Sequence, residues 1–574
     1  MRPIKLGISL MFFLFIFVLV TGTTTRLETI EIMDATDLEL MDETVNIVNL
    51  NEIASSDFLV REDQSIYEND SDSQVYKLYV TVLPPPDLDK VTFDEVNTYV
   101  KQEDTDYSLD AFDKQANIIF STSEHSISPA ESIPNGTIEL RGQTSRGHDQ
   151  KSYKIKLHSN TQGWDGFYTL NLNKSLPDEY RLKNKLSYDL FETIPEIVSL
   201  RTRFVQLHVK DLSTGAGKTN YENYGLFTFI EQPNKRFLER HGLDRNGHFY
   251  KAEFFEFFRY EDHLKSKDDI TYSEEEFGQI LEIRGSDDHE KLLKMLDDLN
   301  DFSQDIDTVI EKHFDKDNLY AWLSLTILFN NYDTNARNFM LYSPLNSEKW
   351  YFVPWDYDGG WNLYRERVSW QYGLSNYWGM VLFNRMFKEP SNLQELNDKI
   401  IEYEAYLSPS RIKGLLSEYE NAIYSNLFIM PDLENARIDE ETFKEDYYKI
   451  ADLPSKFKGL YFEGIEKPMP FFLGYPRVKE KQLVFSWDNA YDLQDDAVSY
   501  DFKLSKYPSM RNPIYTDSNL KVTEVKLPPM EDGIYYYYVK AIDANGNERL
   551  AFDKYYEGSN KYFGVQRFEL GGEN

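Results

Sequence analysis

Two stretches decide how this chain is read: NNYDTNARN at residues 330–338 and VPWDYD at residues 353–358. Between them lie FMLY (339–342) and WYFV (350–353), apolar runs that predict the two strands of a hairpin. Asp333 and Asn338 stand five residues apart, and Asp356 follows on the far side of the hairpin. An acid, a carboxamide and a second acid at one hairpin mouth supply what a magnesium–nucleotide site needs. One carboxylate can orient a hydroxyl. The amide oxygen and the second carboxylate are hard ligands that can hold Mg²⁺ against phosphates. The plain alternative is an Asx-rich turn and a strand-ending loop, which Asn and Asp favour through their own backbone bonding. Either segment alone fits both readings.

Upstream, LYAWLSLTILF (319–329) runs directly into Asn330 and predicts a buried helix, a rigid base for the acid loop. Residues 287–330 read as mostly helical. Before them come strand-like runs: VYKLYVTVL (75–83), ANIIF (116–120), TIEL (137–140), KSYKIKL (151–157), RFVQLHV (203–209), YGLFTFIE (224–231) and GHFYKAE (247–253). A helix interrupts them at LKNKLSYDLFE (182–192), with Leu182, Leu186, Leu190 and Phe191 on one stripe. Residues 93–100 also have helical spacing. The small polar loop in RGQTSRG (141–147) carries Arg141 and Arg146 and leads to Lys151. Such a loop can lay backbone N–H groups and cations on phosphate, although an ordinary basic hairpin fits the pattern too. Strands, then helices, then an acid hairpin predict a two-lobed α+β domain, with helical residues 391–464 packed on the second lobe. Beyond KPMPFF (467–472), short alternating runs at 483–487, 500–505, 523–527 and 533–542 predict an antiparallel β-sandwich. Its tyrosine run, Tyr535 to Tyr538, reads as sandwich packing rather than a ligand platform.

The chain has 574 residues, enough for several domains, and a net charge of −35. That charge argues against nucleic acid and anionic membrane surfaces as partners. With no cysteine, disulfides, thiolate zinc sites and cysteine nucleophiles are excluded. The nine histidines show no H-E-x-x-H spacing, which argues against a zinc hydrolase. The N-terminus joins MRPIK (1–5) to an apolar run at 6–20 and small residues at 21–25. This is an export segment, read as a cleaved signal peptide or an uncleaved membrane anchor over 1–25. Residues 26–74 are acidic and polar and are expected to form a linker, with order beginning near Tyr76.

Six segments taken together resemble the CotH family of spore-coat and secreted atypical kinases. They are ELRGQTSRG (139–147) with Lys151-Ser-Tyr, NKLSYDL (184–190), YGLFTFIE (224–231), GHFY (247–250), NYDTNARN (331–338) and VPWDYD (353–358). They occur in family order over roughly residues 75–460. Protein kinases use the same sequence of an Asp, an Asn five residues later and a metal-binding Asp after a hairpin. The resemblance implies a divergent kinase-like fold over 75–464, followed by a fibronectin type III-like sandwich over 468–574. It implies phosphorylation of hydroxyls on surface or secreted proteins with ATP and Mg²⁺ or Mn²⁺. By that resemblance Asp333 is the catalytic-loop acid, Asn338 and Asp356 are metal ligands, and Asp358 is a further ligand or a residue supporting one. Trp355 and Tyr250 would sandwich the adenine. Lys151, as a catalytic residue, with Arg141 and Arg146 would face phosphate, and Glu231, the acid at the end of the hinge strand, would belong to the nucleotide site. Lys183 stands where the family often has arginine, and the insertion at 213–221 is longer than expected. Another reading is a bacterial surface or spore-coat assembly or adhesion protein whose kinase-like lobe only binds nucleotide, with the sandwich binding a surface partner. A carbohydrate-active enzyme would need two opposed carboxylates and leaves Asn338 and Lys151 without a task.

Overall fold

A computed structural model describes residues 60–68, 70–86, 91–98, 114–124, 133–142, 144–214, 220–362 and 369–571. The export segment expected at 1–25, and residues 26–59 of the expected linker, lie outside them. No helix among the described residues is long and apolar enough to cross a membrane.

The first lobe is built from seven strands: β1 (Val75–Val82), β2 (Ala116–Ser121), β3 (Gly136–Arg141), β4 (Ser152–Leu157), β5 (Thr169–Asn173), β6 (Thr202–Asp211) and β7 (Glu222–Glu231). They close into a barrel in the order β1-β2-β3-β4-β5-β7-β6. Closure rests on one parallel pair, β1 with β6, from Val75 opposite Phe204 to Val82 opposite Asp211. Alternation turns Leu78, Val80 and Ile118 inward, where they meet Ile155, Leu170, Leu172 and Phe229. The described acidic residues before β1 do not hang as a linker. Asp70 pairs with Arg201 at 2.7 Å and Arg203 at 2.6 Å, and Asp72 pairs with Lys185 at 2.8 Å. Glu62 accepts from Ser199 N at 2.6 Å. The fold therefore extends back to Val60, because Glu62, Asp70 and Asp72 each find a cation or amide of the fold.

Helix α1 (Lys183–Phe191), inserted between β5 and β6, is buried along its whole length and packs Leu186, Leu190 and Phe191 into the core of the second lobe. There β8 (His248–Ala252), β9 (Leu281–Ile283), β10 (Phe339–Ser343) and β11 (Tyr351–Pro354) form a sheet in the order β11-β10-β8-β9. Helix α2 (Lys316–Phe329) starts where the Asp315 side chain accepts from Asn318 N, and is buried from Asn318 to Phe329. It stops at Asn330, which turns left-handed (φ 53°) and caps with its amide on the Ile327 and Thr326 carbonyls. Around α2 pack the helices Pro390–Tyr406 and α3 (Leu453–Ile465).

The C-terminal part is an all-β sandwich. Strands Arg477–Lys479, Gln482–Ser486 and Glu524–Leu527 form one sheet. Tyr515–Leu520, Ser499–Ser505, Gly533–Ile542 and Glu548–Leu550 form the other, with Val565–Leu570 also paired to Gly533–Ile542. Phe485 packs edge-on against Phe502, Tyr537 and Phe568 at 5.1–5.4 Å between ring centres. Tyr535, Tyr536 and Tyr537 are buried in this strand, as sandwich packing requires. The sandwich is seated on the second lobe: Trp370 meets Phe552 at 5.3 Å and Trp378 stacks on Tyr491 at 5.7 Å.

Candidate active site

β10 and β11 pair from Phe339 opposite Pro354 to Tyr342 opposite Tyr351, so Asn338 and Trp355 emerge at the same end of the hairpin. The register alone brings the two acidic segments together. Asn338 Nδ2 donates to Asp333 Oδ2 at 2.9 Å. Asn331 Nδ2 donates to the Asp356 carbonyl at 3.0 Å. After Asp358 the chain passes so close to this loop that a Cβ on Gly359 would lie 3.0 Å from Asn331 Oδ1. Asn330, Asn338, Asp356 and Trp361 all hold left-handed backbone, with φ between 53° and 60°. Such conformations cost a non-glycine residue of order 1 kcal/mol and persist where surroundings over-determine them.

Helix α1 supplies that determination. Asn184 Oδ1 accepts from Tyr357 N at 2.8 Å, and Tyr188 Oη accepts from Asp356 N at 2.9 Å. Ser187 Oγ accepts from Trp361 Nε1 at 2.8 Å. Positions 184, 187 and 188 share one helix face, so a single face holds the whole acidic turn in place.

The site concentrates both signs of charge. Asp358 is pushed up to about 8, first by the Asp356 charge, then by burial and by Asp333, against the pull of Lys183. Burial raises Asp356 as well, opposed by Arg141 and Lys251. The Arg141 guanidinium sits over the Trp355 ring, 5.5 Å from its centre. Arg284 and Lys154 lie within electrostatic reach of Arg141. Neither was singled out in the sequence, nor was Lys251. The usable signal was strand parity: Lys154 shares the face of β4 that pairs Glu139 and leads to Arg141, whereas Lys151 precedes the strand with the opposite parity.

The other expected residues fall elsewhere. Lys151 Nζ donates to the Arg146 carbonyl at 2.7 Å. It lines a cavity with Asp149, Tyr153, Glu222 and Pro431, and none of its described contacts is to the acids. Arg146 Nε donates to the Gly142 carbonyl at 2.5 Å, folding the loop on itself. Glu231 is buried in an ionic chain with Arg240 and with His241 at 3.2 Å, so it holds structure rather than nucleotide. Tyr250 is 0% exposed. Its ring packs against Phe277, His289 and Trp350, and its hydroxyl meets His289 Nδ1 at 2.9 Å. Both faces of the expected adenine platform are thus occupied by core, because Tyr250 lies on the inner strand β8. Trp355, at the hairpin mouth and 8% exposed, is the aromatic next to the acids.

The donors gathered here are carboxylate and carboxamide oxygens, suited to a hard divalent cation such as Mg²⁺ or Mn²⁺. The fit is supported by the Asn331 Oδ1 atom, buried beside Asp333 with no hydrogen-bond partner. Residues 138–449, more than half of the chain, match the family described as CotH kinase protein, and the match contains every residue of the acid cluster. The chain is 25% identical over 238 residues to inner spore coat protein H of Bacillus subtilis (strain 168). That stretch covers 41% of this chain and 62% of the relative, less than two thirds of its length. This chain belongs to the CotH family.

Proposed function

We propose that this chain is an exported phosphotransferase that moves the γ-phosphoryl group of ATP to hydroxyls of proteins at a cell or spore surface. The observation that carries the reading is the convergence of Asp333, Asn338, Asp356 and Asp358, with Arg141 opposite, at one hairpin mouth. The cation held by Asn338, Asp356 and Asp358 would neutralise phosphate charge, which is the main demand of phosphoryl transfer. Asp333 is the most exposed of the acids and so can meet an incoming protein hydroxyl, orient it and take up its proton. The acceptor oxygen bonds to the γ-phosphorus as the bond to the leaving diphosphate breaks. Arg141, backed by Arg284 and Lys154, faces the phosphates, and Trp355 offers an aromatic surface to the base. Surface location is supported by the expected export segment and by the name of the spore-coat relative.

Intact-mass spectrometry after incubation with Mg-ATP and a panel of basic proteins tests this. Wild type should add one phosphate to itself or to a substrate. Asp333→Asn should still bind Mg-ATP while transfer falls by orders of magnitude, and Asp356→Ala should lose magnesium-dependent binding. A nucleotide-monophosphate adduct would assign adenylyl transfer instead. Tight binding without any covalent product would leave a nucleotide-binding assembly protein.

A further inference from the structure

The sandwich holds a second acidic cluster, unrelated to the candidate active site. Two of its loops bring Asp492, Asp496 and Asp543 together, each offering one carboxylate oxygen within 4.8 Å of the others. Asp492 is 5% exposed. Its Oδ1 accepts from the amides of Gln494 and Asp496, both at 3.0 Å. Its Oδ2 is buried and has no hydrogen-bond partner. Asp543 Oδ1 accepts from Asn545 N at 2.9 Å and Asn547 N at 2.8 Å, and its Oδ2 from Asn547 Nδ2 at 2.8 Å. Asp496 Oδ2 accepts from Asn545 Nδ2 at 2.5 Å. Among the described residues, no lysine, arginine or histidine pairs with any of the three. Turn capping accounts for Asp543 and for one oxygen of Asp492. It does not account for the second, because a buried carboxylate oxygen without a donor is a net cost to folding.

We propose that Asp492, Asp496 and Asp543 form a calcium site that locks the sandwich onto the end of α3. The available donors are all oxygen, with no nitrogen or sulfur ligand, which selects a hard cation. They come from two separate loops, an arrangement that suits the variable geometry of Ca²⁺ better than the strict octahedron of Mg²⁺. The same loops reach the second lobe. Gln494 Nε2 donates to the Ile465 carbonyl at 3.1 Å, and Asn547 Nδ2 to the Glu466 carbonyl at 3.0 Å. Ordering the loops therefore orders the joint, and Tyr491, which stacks on Trp378, immediately precedes Asp492 in the chain.

The test uses the full chain stripped of metal. Calcium binding is followed by calorimetry, and terbium binding by luminescence sensitised through Tyr491 and Trp378. Wild type should bind with a Kd of roughly 10⁻⁴–10⁻³ M or tighter, the range of extracellular calcium modules. Asp492→Asn keeps the oxygen that caps the loop but should weaken binding at least tenfold. If that variant fails to fold, Asp496→Asn, at the half-exposed rim, should show the same loss. Calcium should also slow proteolytic cleavage at residues 464–469 in wild type and not in the variants. Equal calcium affinity in wild type and Asp496→Asn, or no calcium binding in wild type, overturns the proposal. Because the acids of the candidate active site are untouched in these variants, a signal arising there would persist.

Discussion

At Asp358 two neighbouring charges and burial act on one carboxyl: Asp356, desolvation and Asp333 all oppose its ionisation. No sequence window contains that crowding, since Asp333 lies across the hairpin. Trp355 and Tyr250 separate in the same way. Trp355→Ala should weaken ATP binding by about 1–3 kcal/mol, the scale of base–aromatic stacking, and, because the ring is largely buried, should also lower the melting temperature. Tyr250→Phe removes a buried bond to His289 and should cost roughly 1 kcal/mol of stability while leaving ATP affinity unchanged. Calorimetric titration and thermal melts of both variants check the pair; reversed outcomes would return Tyr250 to the site. The acids were legible in sequence because a short hairpin forces its two ends together. Lys151 was not, because a motif lysine one residue before a strand cannot be assigned a face until the strand's register is known.

At the scale of elements, the segment before β1 is clamped to the end of β7 through one histidine. His241 lies between Glu62 at 2.9 Å and Glu231 at 3.2 Å, with Arg240 on Glu231 and the Tyr67 hydroxyl on Glu62 at 2.8 Å. The two carboxylates raise its pKa to about 9 despite burial. A folded pKa above the unfolded value of about 6.5 contributes stability that is fully present below that value and is lost as pH rises through the folded one. Wild type should therefore lose on the order of 1–3 kcal/mol between about pH 6.5 and 9. Urea unfolding across that range measures it, and His241→Gln should flatten the slope. An unchanged slope in the variant would place the pH dependence elsewhere. The acidic residues of this segment read as a solvated linker because composition carries charge but not its partner.

Across the whole molecule, the sandwich and the second lobe share buried contacts. Arg549 is 1% exposed and donates from Nε to the Pro468 carbonyl at 2.8 Å and from Nη2 to the Gly464 carbonyl at 2.7 Å. Arg549→Ala leaves the Gly464 carbonyl at the end of α3 and the Pro468 carbonyl beyond it without these donors and should cost about 2–3 kcal/mol, as for lost bonds to a charged group. Scanning calorimetry should show the sandwich and second lobe of wild type melting together, and the variant melting earlier or in two steps. Two separate transitions in wild type would make the sandwich an independent module.

Local pattern determined a good deal of this protein by itself. Period-two alternation marked every barrel strand except β5 and the central strands of the sandwich, the apolar run into Asn330 marked α2, and the hairpin spacing marked Asp333, Asn338 and Asp356 as neighbours. These follow from forces acting within a few residues of chain. Only the tertiary structure closed the barrel, because pairing β1 with β6 joins residues far apart in sequence. It alone set α1 against the acidic turn, placed Lys154 and Arg284 near Arg141, and put Tyr250 in the core. Each of those outcomes depends on which face a side chain presents to a distant element, and that is decided by packing.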